Sequence, residues 1–142
     1  MIVDANILIF AADGKSRFHE RAAGWLEGAL NGGTRIGLPW ESTGAFLRIA
    51  THPRAITNPL LPDVAVRQVQ EWLGAPAAWI PTPQDGHVKV LGELISRYEL
   101  RGRLIPDAHL AALAITHGVG VVSADTDFAR FEDLRWVNPL AG

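Results

Sequence analysis

Hydrophobic positions along the chain fall into short strand-like runs separated by longer stretches with helical spacing. Ile2 and Val3 form an apolar pair that stops at Asp4. Over residues 18–30, Ala22, Trp25, Leu26 and Leu30 recur on one helical face, and Gly32-Gly33 end the pattern. Residues 35–38 read as a second strand. After Pro39, residues 41–51 predict a helix with Ala45, Phe46 and Ile49 inward, stopped by Pro53. Residues 62–73 predict another, with Val66, Val69, Trp72 and Leu73 inward, and Trp79-Ile80 a short strand. Residues 86–98 carry Val90, Leu91, Leu94 and Ile95 at helical spacing. Pro106 suits the first turn of a helix reaching His117, and Gly118 suits its end. Residues 119–122 and Trp136-Val137 complete the strands. This alternation predicts an α/β/α fold of three layers, with a mostly parallel sheet of about five short strands. The chain reads as one domain over residues 1–142. Sheets of this kind bind ligands beyond the carboxyl ends of their strands, where the strand order reverses.

Composition narrows the chemistry. The absence of cysteine excludes a disulfide scaffold, a thiol nucleophile and a cysteine-built zinc site. No run approaches the roughly 18 apolar residues that a membrane-spanning helix needs, and the first residues carry no basic leader, so a cytoplasmic address is expected. Thirteen Lys and Arg face 15 Asp and Glu, a net charge of −2, which argues against wholesale coating of nucleic acid. Eleven of the 13 bases are arginine, the side chain best shaped for phosphate.

Five acids stand at the mouths of apolar elements: Asp4, Glu41, Asp107, Asp125 and Asp127. Each alone is explained by a helix cap or dipole. Together they are not, because carboxylates converging at neighbouring strand ends repel unless a cation joins them. Removing these five from the 15 acids leaves ten against 13 bases, so the remaining surface leans positive. An acidic pocket in an arginine-rich surface suits a divalent metal acting on a polyanion. All-oxygen ligands, without HxxxH or HExxH spacing, favour Mg²⁺, with Mn²⁺ as substitute, over Zn²⁺. Among the histidines, His52 beside Pro53-Arg54 stands out; His109 and His117 read as packed or solvent-facing, and His19 and His87 lie near helix starts. Arg48 and Arg54, near Glu41, and Arg97, Arg101 and Arg103, ahead of Asp107, are candidates to hold a phosphate backbone.

These residues also carry a family pattern. The chain resembles the PIN-domain family, in particular the VapC-like toxins of bacterial toxin–antitoxin pairs of the mycobacterial type. The resemblance rests on Ile2-Val3-Asp4-Ala5-Asn6, on Gly37-Leu38-Pro39-Trp40-Glu41 with the stretch to Arg54, on Pro106-Asp107-Ala108-His109, on Val122-Ser123-Ala124-Asp125-Thr126-Asp127, and on the ending Leu134-Arg135-Trp136-Val137-Asn138-Pro139. It implies a metal-binding quartet of Asp4, Glu41, Asp107 and Asp125, supported by Asn6 and Ser123, with Asp127 as an accessory acid. It also implies Mg²⁺- or Mn²⁺-dependent cleavage of RNA, homodimerisation and inhibition by a VapB-like antitoxin. Ser123 stands where many relatives carry threonine, which keeps the hydroxyl.

Three other readings stay open on sequence. A phosphatase with an aspartyl-phosphate intermediate would use a strand-end Asp and Mg²⁺, but Asn6 removes the second acid of a DxD pair and the only lysines are Lys15 and Lys89. A non-catalytic PIN-like binding module would have no need of the full acid set. A DNA nuclease is not distinguished by composition.

Overall fold

The computed structural model describes residues 1–141. Five two-residue strands, β1 (Ile2–Val3), β2 (Ile36–Gly37), β3 (Ala78–Trp79), β4 (Val121–Val122) and β5 (Trp136–Val137), form one sheet in the order β3-β2-β1-β4-β5. Every pairing is parallel. Six helices fill the connections: α1 (Ala5–Ala12), α2 (His19–Leu30), α3 (Trp40–Ala50), α4 (Pro62–Leu73), α5 (His87–Tyr98) and α6 (Ile105–Thr116). Short 3₁₀ turns, Gly102–Leu104 and Thr126–Arg130, precede α6 and follow β4.

Side chains alternate across the sheet, and each face has its own core. Val3 and Val122 point to the layer of α1 to α4, where Ile7, Leu8, Leu26, Phe46, Val69 and Trp72 pack. Ile2 and Val121 point to the other, where Leu94, Leu113, Phe128 and Phe131 meet a run of alanines in α6. The small residues of that run, Ala108, Ala111, Ala112 and Ala114, are fully buried and let α6 lie close to the sheet. These two cores confirm the three-layer expectation.

The departures from the sequence pattern are local. The strands are shorter than expected: residues 35–38 contract to β2 and 119–122 to β4, while the third strand shifts back one residue to Ala78–Trp79. Helix α1 was not foreseen. Its residues, ANILIFAA, are apolar on nearly every side, so no polar face marks them as helical. It forms because Asp4 caps its first turn, the Ala5 N–H donating to Asp4 Oδ1 at 2.7 Å. Val66, expected inward, is 45% exposed; Val69 and Trp72 are buried as expected, joined by Ala65 in place of Val66. Among the described residues, no helix is long and apolar enough to cross a membrane.

The register fixes the site. Ile2 pairs with Val121 on one side and Gly37 on the other, and Val3 pairs with Val122. One step beyond, the Asp4 N–H donates to the Val122 carbonyl at 2.9 Å, which sets Asp4 beside Ser123. The central strand therefore delivers Asp4 between the ends of β4 and β2, and the helix after β2 begins with Trp40 and Glu41.

Candidate functional site

Ser123, fully buried at the end of β4, is the hub of the acidic site. Its hydroxyl donates to Asp4 Oδ2 at 2.7 Å and accepts from Asn6 Nδ2 at 3.0 Å and from the Asp125 N–H at 3.0 Å. Asn6 completes the clamp: its Nδ2 also lies 3.3 Å from Asp4 Oδ2, and its Oδ1 accepts from the Ala124 N–H at 3.2 Å. Both oxygens of Asp4 are thus aimed by donors on two strand ends. Asn6 and Ser123, named above as supporting residues, are thus both within hydrogen-bond reach of Asp4. Replacing Ser123 with Ala should leave Asp4 Oδ2 and the Asp125 N–H short of a partner in a buried place. The expected cost is about 1–3 kcal/mol of stability, read by urea unfolding.

Asp125 caps the turn that follows β4, its Oδ1 accepting from the Asp127 N–H at 2.8 Å. That turn swings Asp127 back toward Asp107, in the first turn of α6. One carboxylate oxygen from each of Asp107, Asp125 and Asp127 lies within 4.8 Å of the others. Asp127 is neutralised by two arginines: Arg130 Nη2 at 3.1 Å on one oxygen and Arg103 Nη1 at 3.3 Å on the other. Asp107 is not neutralised. Among the described residues its carboxylate has no hydrogen-bond partner. Burial first, then the charges of Asp125, Asp4 and Asp127, push its pKa up to about 6, against a smaller opposing pull from Arg130. Asp4 is also raised, by burial above all and by Asp125, despite the Ser123 and Ala5 hydrogen bonds that favour its charged form.

Glu41 stands in a different group. It shares a cavity of about 370 Å³ with Asp4, Asp107 and His109, walled by Ala45, Leu91, Ile105 and Leu110. His109 Nε2 lies 3.3 Å from Glu41 Oε1, and this contact leads the causes that hold the Glu41 carboxyl below its usual range. Asp107 belongs to both groups, and Asp4 lines the cavity while feeling the charge of Asp125. The expected quartet of Asp4, Glu41, Asp107 and Asp125 therefore appears as two overlapping sets. Asp127 falls in the first set with Asp107 and Asp125, and Glu41 lies beside a histidine in the second.

The donor set fits a divalent cation. All the candidate ligand atoms are carboxylate oxygens, as hard cations prefer, and both causes that raise the Asp107 pKa, burial and then its acidic neighbours, disfavour the bare carboxylate in a way that a cation would offset.

Of the five arginines, Arg103 reaches the site, through Asp127. Arg97 does not: it is held by Glu132 at 2.7 Å and Asp133 at 3.0 Å and lies over the Tyr98 ring. Arg48, Arg54 and Arg101 are exposed. His52 closes a local turn by accepting from the Arg54 N–H at 3.0 Å. The residues that sequence reasoning passed over are Arg130, His109 and His87. Arg130 had a readable signal, its i, i+3 spacing from Asp127. The His87–His109 pairing crosses two helices and had none.

The PIN domain family profile matches residues 1–134. The chain belongs to the PIN-domain family. Within it, this PIN domain is VapC-like. It is 41% identical to Ribonuclease VapC37 of Mycobacterium tuberculosis over 140 residues, covering 99% of this chain and 97% of that one. It is 38% identical to Ribonuclease VapC33 of the same organism, covering 99% and 98%. Among solved structures, VapBC2 from Rickettsia felis bound to a DNA fragment from their promoter superposes with a TM-score of 0.70 at 16% identity, covering 96% of both chains. Mycobacterium tuberculosis VapC20, a sarcin-ricin loop cleaving toxin, gives 0.65 at 14% identity, covering 94% of this chain and 98% of that one. At those identities the two superpositions speak for the fold.

Proposed function

We propose that this PIN domain is a metal-dependent endoribonuclease, the toxin of a toxin–antitoxin pair. It acts on RNA as a homodimer and is held in check by a VapB-like antitoxin. The observation that carries the reading is the meeting of Asp107, Asp125 and Asp127 at the strand ends, beside an oriented Asp4, in a chain so similar to VapC ribonucleases.

Asp107, Asp125, Asp127 and Asp4 would hold Mg²⁺ or Mn²⁺, with Glu41 reaching the same pocket from α3. A cation bound there supplies charge stabilisation for the attacked phosphate and acidifies a water. The remaining tasks fall to the chain itself. Ser123 and Asn6 keep Asp4 in one orientation, so the carboxylate need not reorganise when the substrate arrives. The apolar wall of Ala45, Leu91, Ile105 and Leu110 lowers the local dielectric and strengthens each charge interaction beside it. Arg103, with its side chain 82% exposed, stands at the rim where a phosphate backbone would pass. Replacing it with Ala should weaken RNA binding and lower the slope of log affinity against log salt by about 1, while Mn²⁺ affinity should hold or rise, since Asp127 loses a competing cation.

Water as nucleophile leaves a 5′-phosphate and a 3′-hydroxyl, whereas attack by the RNA 2′-hydroxyl leaves a cyclic phosphate and a 5′-hydroxyl. End-group analysis after digestion of RNA and of a matched DNA, with Mg²⁺, Mn²⁺ or excess EDTA, tests the reading. The expected result is metal-dependent cutting of RNA with 5′-phosphate ends. A 5′-hydroxyl product, full cutting in EDTA, or a preference for DNA would overturn it.

A further inference from the structure

We propose that His87 and His109 form a relay that positions Glu41, so that α5 takes part in building the acidic pocket. This rests on the reading of that pocket as a metal site.

His87 is the first residue of α5 and is 5% exposed; His109 lies one position after Ala108 in α6. Their rings meet edge to face, with centroids 4.6 Å apart, and His87 Nε2 lies 2.9 Å from His109 Nδ1. The other nitrogen of His109, Nε2, is 3.3 Å from Glu41 Oε1 in a bent contact. Three side chains from three helices are thus joined in series, ending on an acid that lines the cavity with Asp4 and Asp107.

The chemistry of the ends sets the direction. An ionised carboxylate only accepts, so His109 must present Nε2–H to Glu41. In the neutral ring Nδ1 is then a lone pair, and His87 donates to it from Nε2. That leaves His87 Nδ1 unprotonated; it is a buried nitrogen with no partner, while His109 Nε2, also buried, has only the bent contact to Glu41. An unpaired acceptor is the less costly kind of orphan, so this tautomer suits the buried His87 end, and a small movement of Glu41 would straighten the bond at the other. Burial also lowers the pKa of His87, which keeps its ring neutral.

A glutamate on a helix surface has three side-chain torsions to lose when it takes up a ligating or substrate-facing position. Fixing Oε1 on His109 removes much of that freedom in advance, and His87 fixes the ring that does it. Partners of this kind behind a ligand commonly matter by 10–100-fold. His109 and His87 are therefore positioning residues, acting through Glu41.

The test uses Mn²⁺ affinity by titration, kcat and KM for RNA cleavage, and ring tautomers from long-range ¹H–¹⁵N spectra of the whole protein near pH 7.5. Both rings are expected as the Nε2–H tautomer. His109→Leu should lower kcat or Mn²⁺ affinity by about 10–100-fold with KM for RNA unchanged. His109→Gln, whose amide can still donate to Glu41, should recover most of it. His87→Phe keeps the ring packing without the donor and, acting one step further from Glu41, should lose about tenfold, the low end of the range for such partners. In a Glu41→Gln background, His109→Leu should change Mn²⁺ affinity no further. An Nδ1–H tautomer on His109, wild-type behaviour in both His109→Leu and His87→Phe, or an equal loss with and without Glu41 would overturn the proposal. Should His109→Leu fail to fold, His87→Phe and the tautomers decide. A wild type that neither binds Mn²⁺ nor cuts would instead overturn the metal-site reading, and the relay with it.

Discussion

Asp4→Asn is expected to reduce RNA cleavage by at least about 100-fold while leaving the protein folded. The amide keeps an acceptor for the Ala5 N–H at the start of α1, so the helix cap survives. The negative charge does not survive, and it sits where three donors have been arranged to aim it: the Ser123 hydroxyl, the Asn6 amide and the Ala5 backbone. Mn²⁺ affinity should fall with activity, because the same oxygens serve both. Single-turnover cleavage and Mn²⁺ titration on one preparation make the comparison. Wild-type cutting by Asp4→Asn would remove the central strand end from the mechanism.

Asp107→Asn should do something less usual: destroy activity and stabilise the metal-free protein. The Asp107 carboxylate is half-buried, has no hydrogen-bond partner among the described residues, and is repelled by Asp125, Asp4 and Asp127. Its pKa of about 6 when folded, against 3.8 as the reference for the unfolded chain, means the folded state holds the proton more tightly. The associated stability is complete below the unfolded value and is lost as pH rises through about 6, where Asp107 ionises in the folded state. In EDTA the wild type should therefore lose stability between about pH 4 and pH 6 from this group. Asp4, raised in the same direction, adds to the trend. Glu41, lowered, acts oppositely and only as pH falls through and below its reference value of 4.5. After allowance for the partial exposure of Asp107, its share is about 1 kcal/mol. Asp107→Asn should raise Tm in EDTA at pH 7.5 by about 3 °C and flatten its dependence over that window. With metal present the order should reverse, since the wild type alone gains by mass action. A lower Tm in EDTA would mean that Asp107 is structural. Asp125 is the weaker choice for this experiment, because its carboxylate also caps the turn at Asp127.

Much of this was legible in the sequence, and the reasons for the rest are physical. The strand–helix alternation holds from β1 to β5, and Asp4 and Asp125 leave neighbouring strand ends, as the parallel reading required. Helix α1 escaped notice because periodicity reports contrast between faces, and Ile7 to Ala12 offer little. Val66 misled because the start of α4 carries other exposed apolar residues, Leu61 and Val64, so apolar spacing alone does not mark its buried face. At the site, the acids were readable but their partition was not. A turn of five residues brings Asp127 to Asp107, while Glu41 leans on His109. Such pairings depend on how helices pack and leave no spacing in the chain. Arg97 shows the same limit from the other side: its proximity to Asp107 in sequence is set aside by Glu132 and Asp133, which claim it in space.

The most direct test of the carboxylate cluster as a metal centre is anomalous scattering from crystals of the wild type soaked in millimolar Mn²⁺. The expected result is a peak among Asp107, Asp125 and Asp127, within coordination distance of at least two of the three and on the side facing Asp4. A map without manganese there, with Asp127 still paired to Arg103 and Arg130 and Asp107 still without a partner, would contradict it.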